Sequence, residues 1–249
     1  MKFSTRLFLA LFFLLNYALT QTSVPYRNVM YYGEWSIYAG QHNFYPSKMV
    51  PKYITHLNFA FLDMDKNGDL NLCDEYADFQ ITTLPELSGI TYSAPYAGVI
   101  GAFAVLKIKN PHLKLGISVG WTRSGDFPGV AKDKNKRQNF SKNIAKFVDY
   151  LGFDFVDIDW EHPTVARNGG GGDEGCPGGP DDTENFTLLM QELRNALDKL
   201  EKKNGKHYEL SIAMSAEIGM LKVIEYDKVL EYVDYASLMT YDLAGSWNS

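Results

Sequence analysis

The sequence predicts an α/β fold in which parallel strands alternate with helices that cover them. Two observations carry that prediction: β-rich runs recur along the chain, and segments with helical apolar spacing separate them. A third sets the scale. The chain has 249 residues, 45% of them hydrophobic, enough for one large domain with a substantial core or for two modest ones.

The elements follow in order. Asn28–Trp35 (NVMYYGEW) and Tyr53–Phe61 (YITHLNFAF) read as the first two strands, and Asp63–Asp69 (DMDKNGD) as a polar turn. Tyr96–Lys109 is expected to be helical, because Asn110-Pro111 marks its end. Lys114–Gly120 (KLGISVG) is the third strand. Lys134–Leu151 places Phe140, Ile144, Phe147, Val148 and Leu151 at helical spacing. Phe153–Asp159 is the fourth strand, and Asp182–Leu200 an amphipathic helix with Thr183 as its expected N-cap. Tyr208–Ala216, Val223–Tyr232 and Tyr235–Thr240 read as strand, helix and strand. Both a doubly wound sheet and a (β/α) barrel satisfy this order. No GxGxxG follows the first strand and no P-loop occurs, which weakens a nucleotide-binding reading.

Ahead of these elements, Lys2 and Arg6 precede the apolar run Leu7–Leu15, the pattern of a secretory signal peptide over residues 1–20. The run is short of the ~20 residues that a spanning helix needs. A secreted, extracellular protein is expected, with no membrane attachment once the leader is removed. The triplets Asn139-Phe-Ser141 and Asn185-Phe-Thr187 are sequons that fit an exported glycoprotein. Cys73 and Cys176 can pair in an oxidising compartment or stay as thiols, and their spacing matches no metal site. The 24 basic and 30 acidic residues give a formal charge of −6 without a dense basic block, so nucleic acid is not an expected partner.

The chemistry is concentrated at the fourth strand. Phe153–Pro163 reads FDFVDIDWEHP, with Asp154, Asp157, Asp159 and Glu161 close together. Side chains on a strand alternate faces, so Asp157, Asp159 and Glu161 share one face while Val156, Ile158 and Trp160 take the other. Asp154 has the opposite parity and is expected to serve structure. Successive acids on one face stand roughly 6.6 Å apart along the strand. Repulsion and desolvation should then keep at least one of them protonated near neutral pH, which suits general acid catalysis. Glu161 lies nearest the C-terminal end of the strand, where barrel active sites are built, and is the best general acid candidate. A solvated acidic run is the alternative, but the flanking apolar residues argue against a surface face.

FDFVDIDWEHP resembles the DxxDxDxE signature of glycoside hydrolase family 18, the chitinase family. Lys114–Trp121 (KLGISVGW) resembles that family's third-strand SxGG motif, with Trp121 in place of the second glycine. Met239-Thr240-Tyr241-Asp242 resembles its sixth-strand MxYD motif. Tyr31-Tyr32 and Asn58–Phe61 look like its first two strands. The resemblance implies a (β/α)8 TIM barrel, here incomplete at the C-terminus with about six of eight strand–helix units, over residues 21–249. It also implies an endo-acting chitinase that cleaves β-1,4-linked N-acetylglucosamine polymers with retention, assisted by the substrate's own acetamido group.

In that scheme Glu161 protonates the leaving oxygen, Asp159 orients the acetamido group, and Asp157 shares a proton with Asp159. Tyr241 hydrogen-bonds the acetamido oxygen, Asp242 contacts the sugar and Met239 lines the pocket. Tyr32, Phe61 and Trp121 are expected to stack on sugar rings, and Trp35 and Trp247 are candidate cleft walls. No metal or organic cofactor is implied, and chitin or chitooligosaccharides are the implied partners. His162 beside the acid is expected to be neutral and packed, and Ser118 and Gly120 to leave room near the acids. The glycine-rich Asn168–Asp173 stretch reads as a loop. A non-catalytic chitin-binding lectin or an inactive truncated paralogue is the alternative, and an endo-β-N-acetylglucosaminidase acting on N-glycans is a second.

Overall fold

The computed structural model describes residues 26–89, 97–120, 127–166 and 176–246. The leader, Trp121, Asn168–Asp173 and Trp247 lie outside the described residues.

Strand β1 (Val29–Gly33) pairs in parallel with β2 (His56–Met64), and a short β3 (Leu70–Leu72) folds back antiparallel on β2. The parallel sheet continues from β2 through β4 (Lys114–Gly120), β5 (Phe155–Asp159), β6 (Glu209–Ser215) and β7 (Tyr235–Met239). Helix α1 (Gly98–Lys109) leads to β4, α2 (Phe127–Lys132) and α3 (Lys134–Leu151) to β5, and α4 (Asp182–Asn204) to β6. The described residues thus form an open α/β barrel sector of six parallel strands whose outer members are β1 and β7.

The elements form where apolar surface can be covered on both sides. Every residue of β2 and β5 is buried, as expected of strands enclosed in a parallel sheet. On α3, Phe140, Ile144 and Val148 recur at helical spacing and are fully buried. Asp133 caps α3 by accepting from the amides of Asn135 (2.8 Å) and Lys136 (3.1 Å), worth about 1 kcal/mol. Gly152 ends the helix in the left-handed conformation. On α4, Leu189, Met190, Leu193 and Leu197 form the buried stripe.

Three expectations need correction, and one strand went unforeseen. The first strand stops at Gly33, and Glu34–Ile37 form a 3-10 turn instead of continuing it. Strand β3 is too short to carry a period in sequence. The helix expected over Val223–Tyr232 is replaced by two single turns, α5 (Ile218–Leu221) and α6 (Tyr226–Val229). The break falls at Glu225, whose carboxylate accepts from Thr187 (2.8 Å) and Lys228 (2.5 Å). Thr183 is inside α4; the N-cap is Asp181, and the Asp182 carboxylate accepts from the amides of Thr164 and Gly179.

Ion pairs gather at the N-terminal ends of the strands. Asp154 accepts from Lys107 and the Leu115 amide and pairs with Lys206 (3.0 Å), the structural use its parity suggests. Buried Glu209 takes His56 (2.7 Å), Lys114 (2.7 Å) and Arg27 (3.2 Å). Burial alone would raise Glu209, but the hydrogen bonds from His56 and Lys114 outweigh it and hold the carboxyl well below its ordinary range.

The two sequons sit differently. Asn139, on α3, is half-buried and donates to the Asn67 carbonyl (3.1 Å) and to Asp69 (2.8 Å), clasping the β2–β3 turn. Asn185 is buried on the core side of α4.

Candidate active site

The parity of β5 sets the site. Val156, Ile158 and Trp160 turn to the helical layer, where Trp160 stacks on Phe127 (5.3 Å between centroids, 7° between planes) and meets Phe186 edge-on. Asp157 and Asp159 turn the other way. Glu161 follows two residues after the strand with its side chain about one-fifth exposed, 21%.

Asp157 is wholly buried and hydrogen-bonded from three strands. Tyr31 on β1 donates to Oδ2 at 2.8 Å, Ser118 on β4 donates to the same oxygen at 2.9 Å, and Ser211 on β6 donates to Oδ1 at 2.6 Å. The strand registers make this possible, since Ser118 and Ser211 both pair directly with Asp157. Burial raises the Asp157 carboxyl above its ordinary value, and the three hydroxyls oppose that rise. A carboxyl so held can store a proton beneath its neighbour.

Asp159 and Glu161 line a cavity of about 620 Å³ with residues of β1, β2, β6 and β7. A second hollow of about 550 Å³ adjoins it, and Glu161, Met239, Tyr241 and Asp242 line both. The Tyr241 phenol is raised above its ordinary value by burial and then by the negative charges of Asp159, Glu161 and Asp242, which places it in the field of the acids. Gly120 ends β4 at φ 141°, and a Cβ there would lie 1.9 Å from the Asp159 carbonyl oxygen, so this close approach needs glycine. A protonatable carboxyl at the wall of an open cavity, a second carboxylate behind it and a nearby phenol can together deliver a proton and stabilise a developing positive charge.

Most of the expected residues come together. Asp159, Glu161, Phe61, Met239, Tyr241 and Asp242 line the cavity, and Asp157 lies beneath it. Tyr32 does not join them. Its ring is 2% exposed, edge-on to Phe103 of α1, and its hydroxyl donates to the Phe44 carbonyl (2.5 Å). Its neighbour Tyr31 faces the cavity instead, with Val29 and Gly33 at period two along β1. Trp35 lines the cavity and stacks on Phe61 (6.1 Å, 25°). His162 is 23% exposed in its side chain, with Nε2 3.5 Å from Glu161 Oε2.

The profile of glycosyl hydrolases family 18 matches residues 27–249. The chain belongs to glycosyl hydrolase family 18. Chitinase A1 of Niallia circulans is 32% identical over 262 residues, covering 94% of this chain and 36% of that protein. Among solved family 18 structures, chitinase ChiA74 from Bacillus thuringiensis superposes with a TM-score of 0.78 at 32% identity, over 89% of this chain and 40% of that one. The Group IV chitinase of Ostrinia furnacalis, solved in complex with allosamidin, gives 0.70 at 30% identity over 89% and 52%. This family 18 chain spans about half or less of the length of these relatives.

Sequence reasoning missed Tyr31 and Ser211 in this family 18 site. Both contribute hydroxyls to the layer around Asp157, and the signal was available for Ser211 alone, since on β6 Glu209 and Ser211 alternate with Leu210 and Ile212.

Proposed function

We propose that this chain carries the acid machinery of a secreted, endo-acting chitinase that cleaves β-1,4-linked N-acetylglucosamine polymers with retention of configuration. The observation that carries the reading is the ordering of the three acids from a buried floor to an open wall. Asp157 is enclosed by three hydroxyls, Asp159 reaches the cavity, and Glu161 lines both hollows.

In the proposed reaction the Glu161 carboxyl gives its proton to the glycosidic oxygen as the bond from that oxygen to the anomeric carbon breaks. The substrate's acetamido oxygen attacks the same carbon from the opposite face and forms an oxazolinium ion. Asp159 carries the opposing negative charge beside it, and Asp157 below shares a proton with Asp159. Tyr241 donates to the acetamido oxygen. The Glu161 carboxylate then takes a proton from water, which attacks the anomeric carbon, opens the ring and leaves retained configuration. Asp242 and Met239 contact the reacting sugar, and Phe61 with Trp35 offers an apolar wall to a neighbouring ring. Two adjoining hollows that share Glu161 support cleavage within a polymer, since they offer room for more than one sugar unit beside the acid. The leader over residues 1–20 supports export.

Hydrolysis of N-acetylchitohexaose by the full chain and by Glu161→Gln tests the reading. Proton delivery of this kind is worth about 10²–10⁴ in rate, so Glu161→Gln should lose at least about a hundredfold in kcat while still binding the hexamer. Retained turnover would remove Glu161 as the acid. Binding without turnover by the unsubstituted chain would favour the lectin reading, and cleavage of N-glycan cores but not of chitohexaose would favour the endo-β-N-acetylglucosaminidase.

A further inference from the structure

A second pair of carboxyls lies behind the aromatic wall of the cleft, outside the acid motif. Glu34, in the 3-10 turn after β1, and Asp78, in the turn of π-helix Tyr76–Gln80, are 4% and 0% exposed. Their carboxyls lie within hydrogen-bonding reach of each other. The Asp74 backbone also acts on the Asp78 carboxyl, but among the described residues no other side-chain donor satisfies its oxygens. Two buried carboxylates side by side repel, so one proton between them is the arrangement that keeps both in place. Glu34 Oε2 also accepts from the Phe61 amide at 3.3 Å. Phe61 stacks on Trp35, the residue after Glu34, and both rings line the 620 Å³ cavity.

We propose that Glu34 and Asp78 are positioning residues of the cleft: one proton shared between their buried carboxyls lets Glu34 hold the Phe61 amide, and this clasp sets the Trp35–Phe61 wall. The protonated oxygen of Glu34 donates to the Asp78 carboxylate while Oε2 accepts from Phe61, so a single carboxyl serves both neighbours. Gly98, the first residue of α1, permits the close packing, because at φ 66° a Cβ there would lie 2.1 Å from the Asp78 carbonyl oxygen. The charged surroundings favour keeping the proton. Asp74, whose charge also acts on both carboxyls, accepts from the Tyr38 hydroxyl (2.5 Å), so the ionisable groups facing the pair from neighbouring turns are an acid and a phenol. Burial first, and then Asp78's charge, raises Glu34; burial first, and then Asp74's charge, raises Asp78.

The proposal deepens the sugar-binding reading and rests on it only for its last readout. The full chain is compared with Glu34→Gln and Glu34→Ala from about pH 5 to about pH 10. The pair holds a proton that the unfolded chain has already released above about pH 4, so its contribution to stability falls as pH rises until that proton is lost. Glutamine mimics the protonated form at every pH: its NH2 donates to Asp78 and its carbonyl accepts from Phe61. The melting temperature of the unsubstituted chain should therefore fall more steeply with pH than that of Glu34→Gln. Hydrogen-exchange protection of the Phe61 amide should drop about tenfold at high pH in the unsubstituted chain, stay high in Glu34→Gln and be low throughout in Glu34→Ala. N-acetylchitohexaose affinity should follow that protection. Glu34→Gln tracking the unsubstituted chain across pH, or Phe61 protection unaffected by Glu34→Ala, would overturn the proposal. If the hexamer binds none of the three while melting and exchange behave as expected, the sugar reading fails and the clasp stands.

Discussion

The Tyr31 hydroxyl on β1 donates to Asp157 on β5 at 2.8 Å, joining an outer strand of the sheet to the floor of the acid cluster. Sheet order puts β2 and β4 between them, so the bond spans the interior of the sector. Tyr31→Phe removes one of three donors and leaves a buried carboxyl less well solvated. Asp157 should then rise further, and stability should fall by about 1–3 kcal/mol. If Asp157 supports Asp159 during hydrolysis, kcat on chitohexaose should drop about tenfold, about 1.4 kcal/mol, with KM little changed. Steady-state kinetics with a melting curve measures both; an unchanged kcat would show that the bond serves folding alone.

Acid should unfold the chain through Glu209. Its folded carboxyl lies below its unfolded value, so the stability it contributes is present above the unfolded value of about 4.3 and is lost as pH falls toward the folded one. Glu209→Gln keeps the shape but loses the charge facing His56, Lys114 and Arg27, and should cost about 1–3 kcal/mol at neutral pH. The cost should shrink toward pH 3, where the unsubstituted carboxyl gives up its own advantage. Melting temperatures of both proteins from neutral to acid pH check this; parallel curves would show that the cluster is electrostatically neutral in effect.

The two aromatic positions of the first strands should behave oppositely. Phe61→Ala removes half of a stacked wall at the cavity and should weaken chitohexaose binding about tenfold, equivalent to about 1.4 kcal/mol. Tyr32→Phe removes a hydroxyl that serves only the Phe44 carbonyl in the helical layer, so binding should be unchanged while stability falls by about 1 kcal/mol. Calorimetric titration of both variants separates the two; a loss of affinity in Tyr32→Phe would return that residue to the sugar site.

The fourth-strand acids were legible because a period of two, set against Val156, Ile158 and Trp160, leaves only one way for the strand to face. Trp160 lies in the helical layer as its parity requires. Tyr31 and Tyr32 carry no such contrast. Two adjacent tyrosines read the same in either orientation, and only pairing with β2 decides which one turns inward. The turns before β7 were hidden for a different reason: the break at Glu225 depends on Thr187, a residue of the preceding long helix. Glu34 and Asp78 were invisible as a pair, because their encounter is created by a turn folding against another turn.

If the chain is exported and glycosylated at Asn139, the clasp between α3 and the β2–β3 turn bears on the order of those events. Asn139 spends both amide hydrogens, one on Asn67 and one on Asp69. An oligosaccharide attached there replaces one of those hydrogens, so a glycosylated Asn139 can serve only one of the two acceptors. Asn143 also donates to Asp69 (2.9 Å) and to the Gly68 carbonyl (3.2 Å), and would keep the turn docked. In that case sugar transfer and closure of the turn would compete for the same nitrogen, and transfer before the turn docks would meet no such competition.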